Sequence, residues 1–138
     1  PGTYALILKC NANTRVHVGR LEEIRLEPGY YIYIGSAFGP GGVRARVLRH
    51  SRIDKPKHWH IDYLCEHANP IGAWYSYKAE HLEHSWANAL YDAIRFSPIG
   101  GFGCSDCKCF SHLFHTSTLP DFDFFANMIG GTLQAWEF

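Results

Sequence analysis

No apolar run in the 138 residues approaches the roughly 18 that a membrane-spanning helix needs. The stretch PGTYALILKC lacks the basic start and small-residue cleavage site of a secretory signal, so a cytoplasmic protein is expected. There is no internal repeat, low-complexity tract or linker, and the length suits one domain with a core that needs no disulfide staples. Net charge is absent too: 13 Lys and Arg balance 13 Asp and Glu, so the whole molecule is not a polycation drawn to nucleic acid. Cysteine is sparse and odd in number, five in all with three between 104 and 109, which fits reduced thiols or a metal better than a disulfide framework.

What is present is unevenly spread. Aromatic residues reach 15%. Arg44, Arg46, Arg49, Arg52, Lys55 and Lys57 place six of the 13 basic residues within 14 positions, opposed only by Asp54. A solvated face and a site for an anion are equal readings of that cluster.

TYALILKC reads as a buried strand, which Asn11, Asn13 and Thr14 turn toward RVHVG as a hairpin partner. GRLEEIRLEPG is mixed, and Pro28-Gly29 makes a turn before the strand YYIYIG. VRARVLRH predicts a short helix with Val43, Val47 and Leu48 on its apolar side and Arg46 and His50 on one face. HWHIDYL alternates and suits a strand that carries His60, Asp62 and Leu64 on one side, with IGAWYSYK as a later strand. KAEHLEHSWANALYDAIR is the best helix: Leu82, Trp86, Ala89, Leu90, Ala93 and Ile94 recur at helical spacing, Glu80 favours the N-terminal dipole and Glu83 borders the apolar stripe. The expected class is α+β, a β-β-α-β-α layer with helices packed on a short, mainly antiparallel sheet.

YIYIGSAFGPGGVRARVLRH, residues 31–50, carries the chemistry. Glycines between a strand and a helix let backbone N–H groups approach an anion, although GSAFGPGG is neither a dinucleotide fingerprint nor a Walker loop. Arginine forks suit phosphate. Arg46 with His50 one turn later offers a clamp and a group that moves protons near pH 7. Tyr4 and Tyr33 fall on neighbouring strands, and a tyrosine there is ordinarily a core-edge residue whose pKa near 10 makes it a poor base unless cations lower it. Cys104, Cys107, Cys109 and His112 are zinc-type ligands, but four within nine residues strain a tetrahedron, and free thiols in a tight loop are favoured. HLEH at 81–84 is not the HExxH of zinc hydrolases.

Gly2-Thr3-Tyr4, Tyr33-Ile34-Gly35, Arg46-x-x-x-His50 and Glu83, in that order, resemble the GIY-YIG endonuclease superfamily. GFGCSDCKCFSHLF and HWHIDYL are similar to its small Uri-type prokaryotic branch. The resemblance covers about residues 2 to 115, giving an expected nuclease domain at 1–116 and a C-terminal extension, 117–138, packed on it. It implies metal-assisted hydrolysis of DNA with Mg²⁺ or Mn²⁺: Glu83 holds the ion, Arg46 steadies the scissile phosphate, Tyr4 and Tyr33 position or deprotonate the water, and His50 is an auxiliary proton acceptor. Gly35, Ser36, Arg44, Arg49 and His60 complete the expected substrate-binding set. The sequence departs from the family in reading GTY for GIY, in a long insertion between the tyrosines, in Ser36 where many relatives carry lysine, and in lacking a late asparagine. Ser36, Ser105 or Asp106 would have to fill such roles. Two rival readings are a non-catalytic nucleic-acid-binding module on the same fold and a zinc-stabilised interaction domain. Single-stranded DNA is the expected substrate, because Tyr31, Phe38, Trp59 and Tyr63 lie near the basic segment and no duplex-embracing motif is present.

Overall fold

In the computed structural model, residues 1–17, 23–52, 60–100, 102 and 111–138 are described. The chain runs β1 (Thr3–Cys10), β2 (Thr14–His17), β3 (Glu23–Leu26), β4 (Gly29–Ser36), α1 (Gly42–Ser51), α2 (His60–Leu64), β5 (Asn69–Ser76), α3 (Glu83–Asp92), β6 (Ser97–Pro98), β7 (Leu113–Thr116), α4 (Phe122–Ile129) and β8 (Gln134–Glu137). Six strands form one antiparallel sheet in the order β6-β7-β4-β1-β5-β8, and β2 pairs with β3 as a separate ribbon. The α+β class follows from this arrangement.

β1 lies at the centre because all but one of its residues are buried, which requires cover on both faces. Tyr4, Leu6, Leu8 and Cys10 point to one face, where they meet Tyr31, Ala73, Phe102, Val43 and Val47 of α1, and Ile61 and Leu64 of α2. Ala5 and Ile7 point to the other, against Ile32, Ile34 and Trp74, and beneath Trp86, Ala87 and Leu90 of α3 and Phe125 of α4. Each such aliphatic or aromatic burial contributes about 1.5–3 kcal/mol. The sheet is therefore a wall between two cores.

β1 does not pair with RVHVG. Its two edges are taken by the equally long β4 and β5, in registers that run Thr3↔Ser36 to Cys10↔Gly29 and Thr3↔Ser76 to Lys9↔Asn69. β2 is mostly exposed and pairs instead with the similarly half-exposed β3, from Thr14↔Leu26 to His17↔Glu23. The long insertion between the tyrosines is this ribbon.

HWHIDYL is not a strand over its described part: residues 60–64 form α2. Ile61 and Leu64, three apart, share the buried side of that helix, and Asp62 is buried because Arg49 reaches it. α3 begins at Glu83, later than its apolar spacing suggests, so Glu83 and not Glu80 occupies the first turn. Leu48 and Ile94 are exposed, the latter because it lies beyond the helix end. α1 begins as expected, at Gly41 and Gly42, whose positive φ angles of 83° and 61° turn the chain out of the loop.

The C-terminal residues are integral to the sheet. Asp121 caps α4 by accepting from the Asp123 N–H, and Gly130 ends it in the left-handed conformation. Phe125 packs against Trp74 and Trp86, with ring centroids 5.1 and 5.6 Å away. β8 then adds the edge strand beside β5. Among the described residues no helix is long and apolar enough to cross a membrane.

Candidate active site

Tyr4 stands opposite Gly35 in the β1–β4 ladder, which makes Tyr33 its diagonal neighbour on the same face. A Cβ on Gly35 would lie 2.5 Å from both Cζ and Oη of Tyr4, so the phenol lies across the glycine and needs its bare backbone. The Tyr4 ring centroid is 6.3 Å from that of Tyr33 and 5.4 Å from that of His50. Tyr33 meets His50 edge-on at 6.3 Å. The alternation of β4 and the helical spacing of α1 thus deliver three of the expected residues to one place.

Tyr4 Oη and His50 Nε2 share a hydrogen bond of 2.7 Å that is closed from solvent. One turn earlier on α1, Arg46 donates from Nη1 to the Ser36 carbonyl at 3.2 Å. That contact holds the guanidinium over the end of β4. Burial pushes both phenols above the usual tyrosine range. For Tyr4 the Tyr33 hydroxyl adds to the rise; for Tyr33 the Glu83 and Asp62 carboxylates add to it. Arg46 pulls both back, without overturning the burial effect. At neutral pH both tyrosines are therefore protonated in this state.

Glu83 enters from α3, at a helix N-terminus that favours its charge. Its side chain is partly buried, with Oε2 3.7 Å from His112 Nδ1 and Oε1 3.9 Å from His84 Nε2. His112 Nδ1 is also 3.2 Å from the Ile34 carbonyl. A carbonyl can only accept, so this nitrogen carries the imidazole proton and donates it to the Ile34 carbonyl, with the Glu83 carboxylate just beyond hydrogen-bond reach. Burial lowers the His112 pKa, opposed by Glu83 and the Ile34 bond, and keeps the ring neutral. β7 pairs with β4 from Tyr30 to Tyr33, and one residue farther on the Ile34 N–H bonds the His112 carbonyl at 2.9 Å, which brings His112 alongside β4. The Glu83 carboxylate is near enough to Tyr33 for its charge to raise the phenol pKa.

The remaining expected residues divide. Ser36 contributes its carbonyl to Arg46, and Gly35 makes room for Tyr4. Arg49 is engaged by the fully buried Asp62 carboxylate in a two-pronged pair of 2.6 and 3.0 Å, which ties α1 to α2. Arg44 is exposed on α1. His60 packs edge-on against Phe102 at 5.6 Å, and burial lowers its pKa. Of the aromatics, Tyr31 is core, its hydroxyl accepting from the Glu27 N–H at 2.9 Å, and cannot meet a base. Phe38 stacks on His81, and Tyr63 is partly buried. Trp59, Lys55, Lys57, Cys104, Ser105, Asp106, Cys107 and Cys109 lie outside the described residues.

Sequence spacing marked His112 only as a zinc-type ligand and gave no sign that it supports Glu83. It did not mark the Arg49–Asp62 pair either, because a strand reading of HWHIDYL put Asp62 beside His60 instead. Among the described residues no three His, Cys, Asp or Glu side chains are grouped as a metal cage. The partly exposed Glu83 carboxylate is of the type that can hold a hard ion which keeps most of its water, such as Mg²⁺ or Mn²⁺.

The profile of one protein family, Domain of unknown function DUF123, matches residues 3–131. No curated protein and no solved structure matches the chain.

Proposed function

The chain belongs to the DUF123 family, and on the strength of its site we propose that it is a GIY-YIG-type endonuclease that hydrolyses phosphodiester bonds in DNA, single strands in preference to duplex, with Mg²⁺ or Mn²⁺. The observation that carries this reading is convergence. Tyr4, Tyr33, Arg46 and His50 come from two strands and a helix to one cluster, and Glu83 comes to its edge from a second helix. None of them is near another in sequence except Arg46 and His50.

Arg46, fixed through the Ser36 carbonyl, presents its guanidinium to a non-bridging phosphate oxygen. Glu83 would hold the divalent ion by its carboxylate, and the ion supplies charge neutralisation and a more acidic water. In-line attack would form the new P–O bond as the ester oxygen leaves with the bonding pair and takes up a proton from solvent. In the substrate complex, where the attacking water must first reach the buried Tyr4 hydroxyl, that oxygen would take the water's proton while the Tyr4 proton moves along the 2.7 Å bond to His50 Nε2. This relay needs no free phenolate, which burial makes costly. Tyr33, between Glu83 and Arg46 in charge, orients the water as a hydrogen-bond donor.

The test is incubation of the chain with end-labelled single- and double-stranded DNA of one sequence, with Mg²⁺, with Mn²⁺ and with chelator. Metal-dependent internal cuts, faster on the single strand, are expected. Binding without cutting under all metals would leave a non-catalytic module, and faster cutting of the duplex would remove the strand preference.

A further inference from the structure

We propose that the Phe38–His81 pair is a stacking platform for one nucleobase of the substrate, beside the phosphate that Arg46 holds. The identity of the ligand rests on the nuclease reading above. The two rings lie nearly parallel, 23° between planes and 3.9 Å between centroids. Phe38 is the inner, half-buried ring and His81 the exposed one, so a third ring can be laid on the pair from solvent.

Both residues are anchored to the ends of the catalytic strands. Phe38 lies two residues beyond Ser36, whose carbonyl holds Arg46. His81 lies two residues before Glu83, and between them the Leu82 N–H donates to Thr3 Oγ1 at 3.4 Å. Thr3 is the ladder partner of Ser36. Ala37 and Gly2 extend that ladder by exchanging backbone hydrogen bonds of 2.9 and 3.2 Å. The platform therefore sits at the rim of the site, joined by short backbone to both its cation and its carboxylate. A base of a single strand can reach such a face whatever its identity, whereas a paired and stacked base cannot. The strand preference then has a physical origin at a named place.

The experiment uses the intact chain in chelator with short single-stranded oligodeoxynucleotides in which 2-aminopurine, and separately an abasic site, is walked along the sequence. At one position next to the cut, fluorescence should be quenched and loss of the base should weaken binding roughly ten-fold, the scale of one base–aromatic stack. His81→Ala should bind intact and abasic strands alike, and His81→Tyr, which keeps a ring, should restore the difference. An abasic penalty of equal size in the wild type and in His81→Ala would overturn the platform. So would the absence of any quenched position. Quenching without cleavage in Mg²⁺ or Mn²⁺ would leave the platform standing and remove the nuclease reading. Cleavage indifferent to an abasic site at every position would do the reverse.

Discussion

In the proposed nuclease a carboxylate, a guanidinium and an imidazole would divide the work, and of these Glu83 and Arg46 are only partly buried while His112 is buried. Glu83→Gln keeps the shape of the side chain and loses its charge at the α3 N-terminus, at a cost to folding of about 0.5 kcal/mol. Its cleavage should fall to background in Mn²⁺ while DNA binding persists; wild-type turnover would remove Glu83 as the metal ligand. Arg46→Ala should lower kcat by at least ~10²-fold, the effect of losing one preorganised charge at a transition state. Arg52→Ala, exposed at the end of α1, should change KM alone, and single-turnover rates on both variants distinguish the two outcomes. His112 offers a finer distinction, because asparagine places an amide N–H where the imidazole Nδ1–H lies. His112→Asn should retain most of the cleavage rate and His112→Phe should lose it, with a weakened response to Mn²⁺ concentration. Equal loss in both would mean that His112 serves packing and not the direction of Glu83.

At the scale of elements, the Arg49–Asp62 pair, mostly out of water, ties α1 to α2 beside their shared apolar core. Replacing Arg49 with methionine keeps the length of the chain but withdraws its charge from the buried Asp62. Unfolding by urea should show a loss of roughly 3–5 kcal/mol, the range for breaking one half of a buried ion pair. A loss under 0.5 kcal/mol would place the pair with ordinary surface bridges. Elements whose pattern was unambiguous were legible from sequence: TYALILKC and YYIYIG as long apolar strands and VRARVLRH as a helix after two glycines, while the grouping of Tyr4, Tyr33, Arg46 and His50 was implied by the family resemblance. What escaped was set by partners distant in the chain. RVHV could not announce that both edges of β1 are claimed by strands 19 to 73 residues away, as Cys10↔Gly29 and Thr3↔Ser76 show. In HWHIDYL an alternating pattern and a one-turn helix are nearly the same string, and the deciding fact, Arg49 arriving from α1, is tertiary. Glu80 and Glu83 are equally good first-turn acids, and the choice falls to Leu82 docking on Thr3.

For the whole molecule, the residues beyond 116 matter as much as the motifs. They had signals of their own, an aspartate cap, a run of phenylalanines and a Gly-Gly stop, but no chemistry to draw the eye. Phe125 fills the space between Trp74 and Trp86, and β8 covers the outer edge of β5. A chain truncated after Thr116 should fail to give a cooperative melt by circular dichroism. Phe125→Ala alone should cost about 3–5 kcal/mol. A truncated chain that melts like the full one would show that the two-faced core can do without α4. The sheet order has one more consequence. β1 is central, and neither of its neighbours is next to it in sequence, so when ribosomes release Tyr4 its ladder partner Gly35 and its other neighbour Tyr75 have yet to be made. No tight hairpin joins β1 to either of its neighbours. Folding must close loops of tens of residues before any central pairing is rewarded, which puts this small domain among slow folders, with milliseconds to seconds as the scale. Until then its most apolar strand is without cover, and the cluster of Tyr4, Tyr33 and His50, drawn from β1, β4 and α1, has to wait for that pairing.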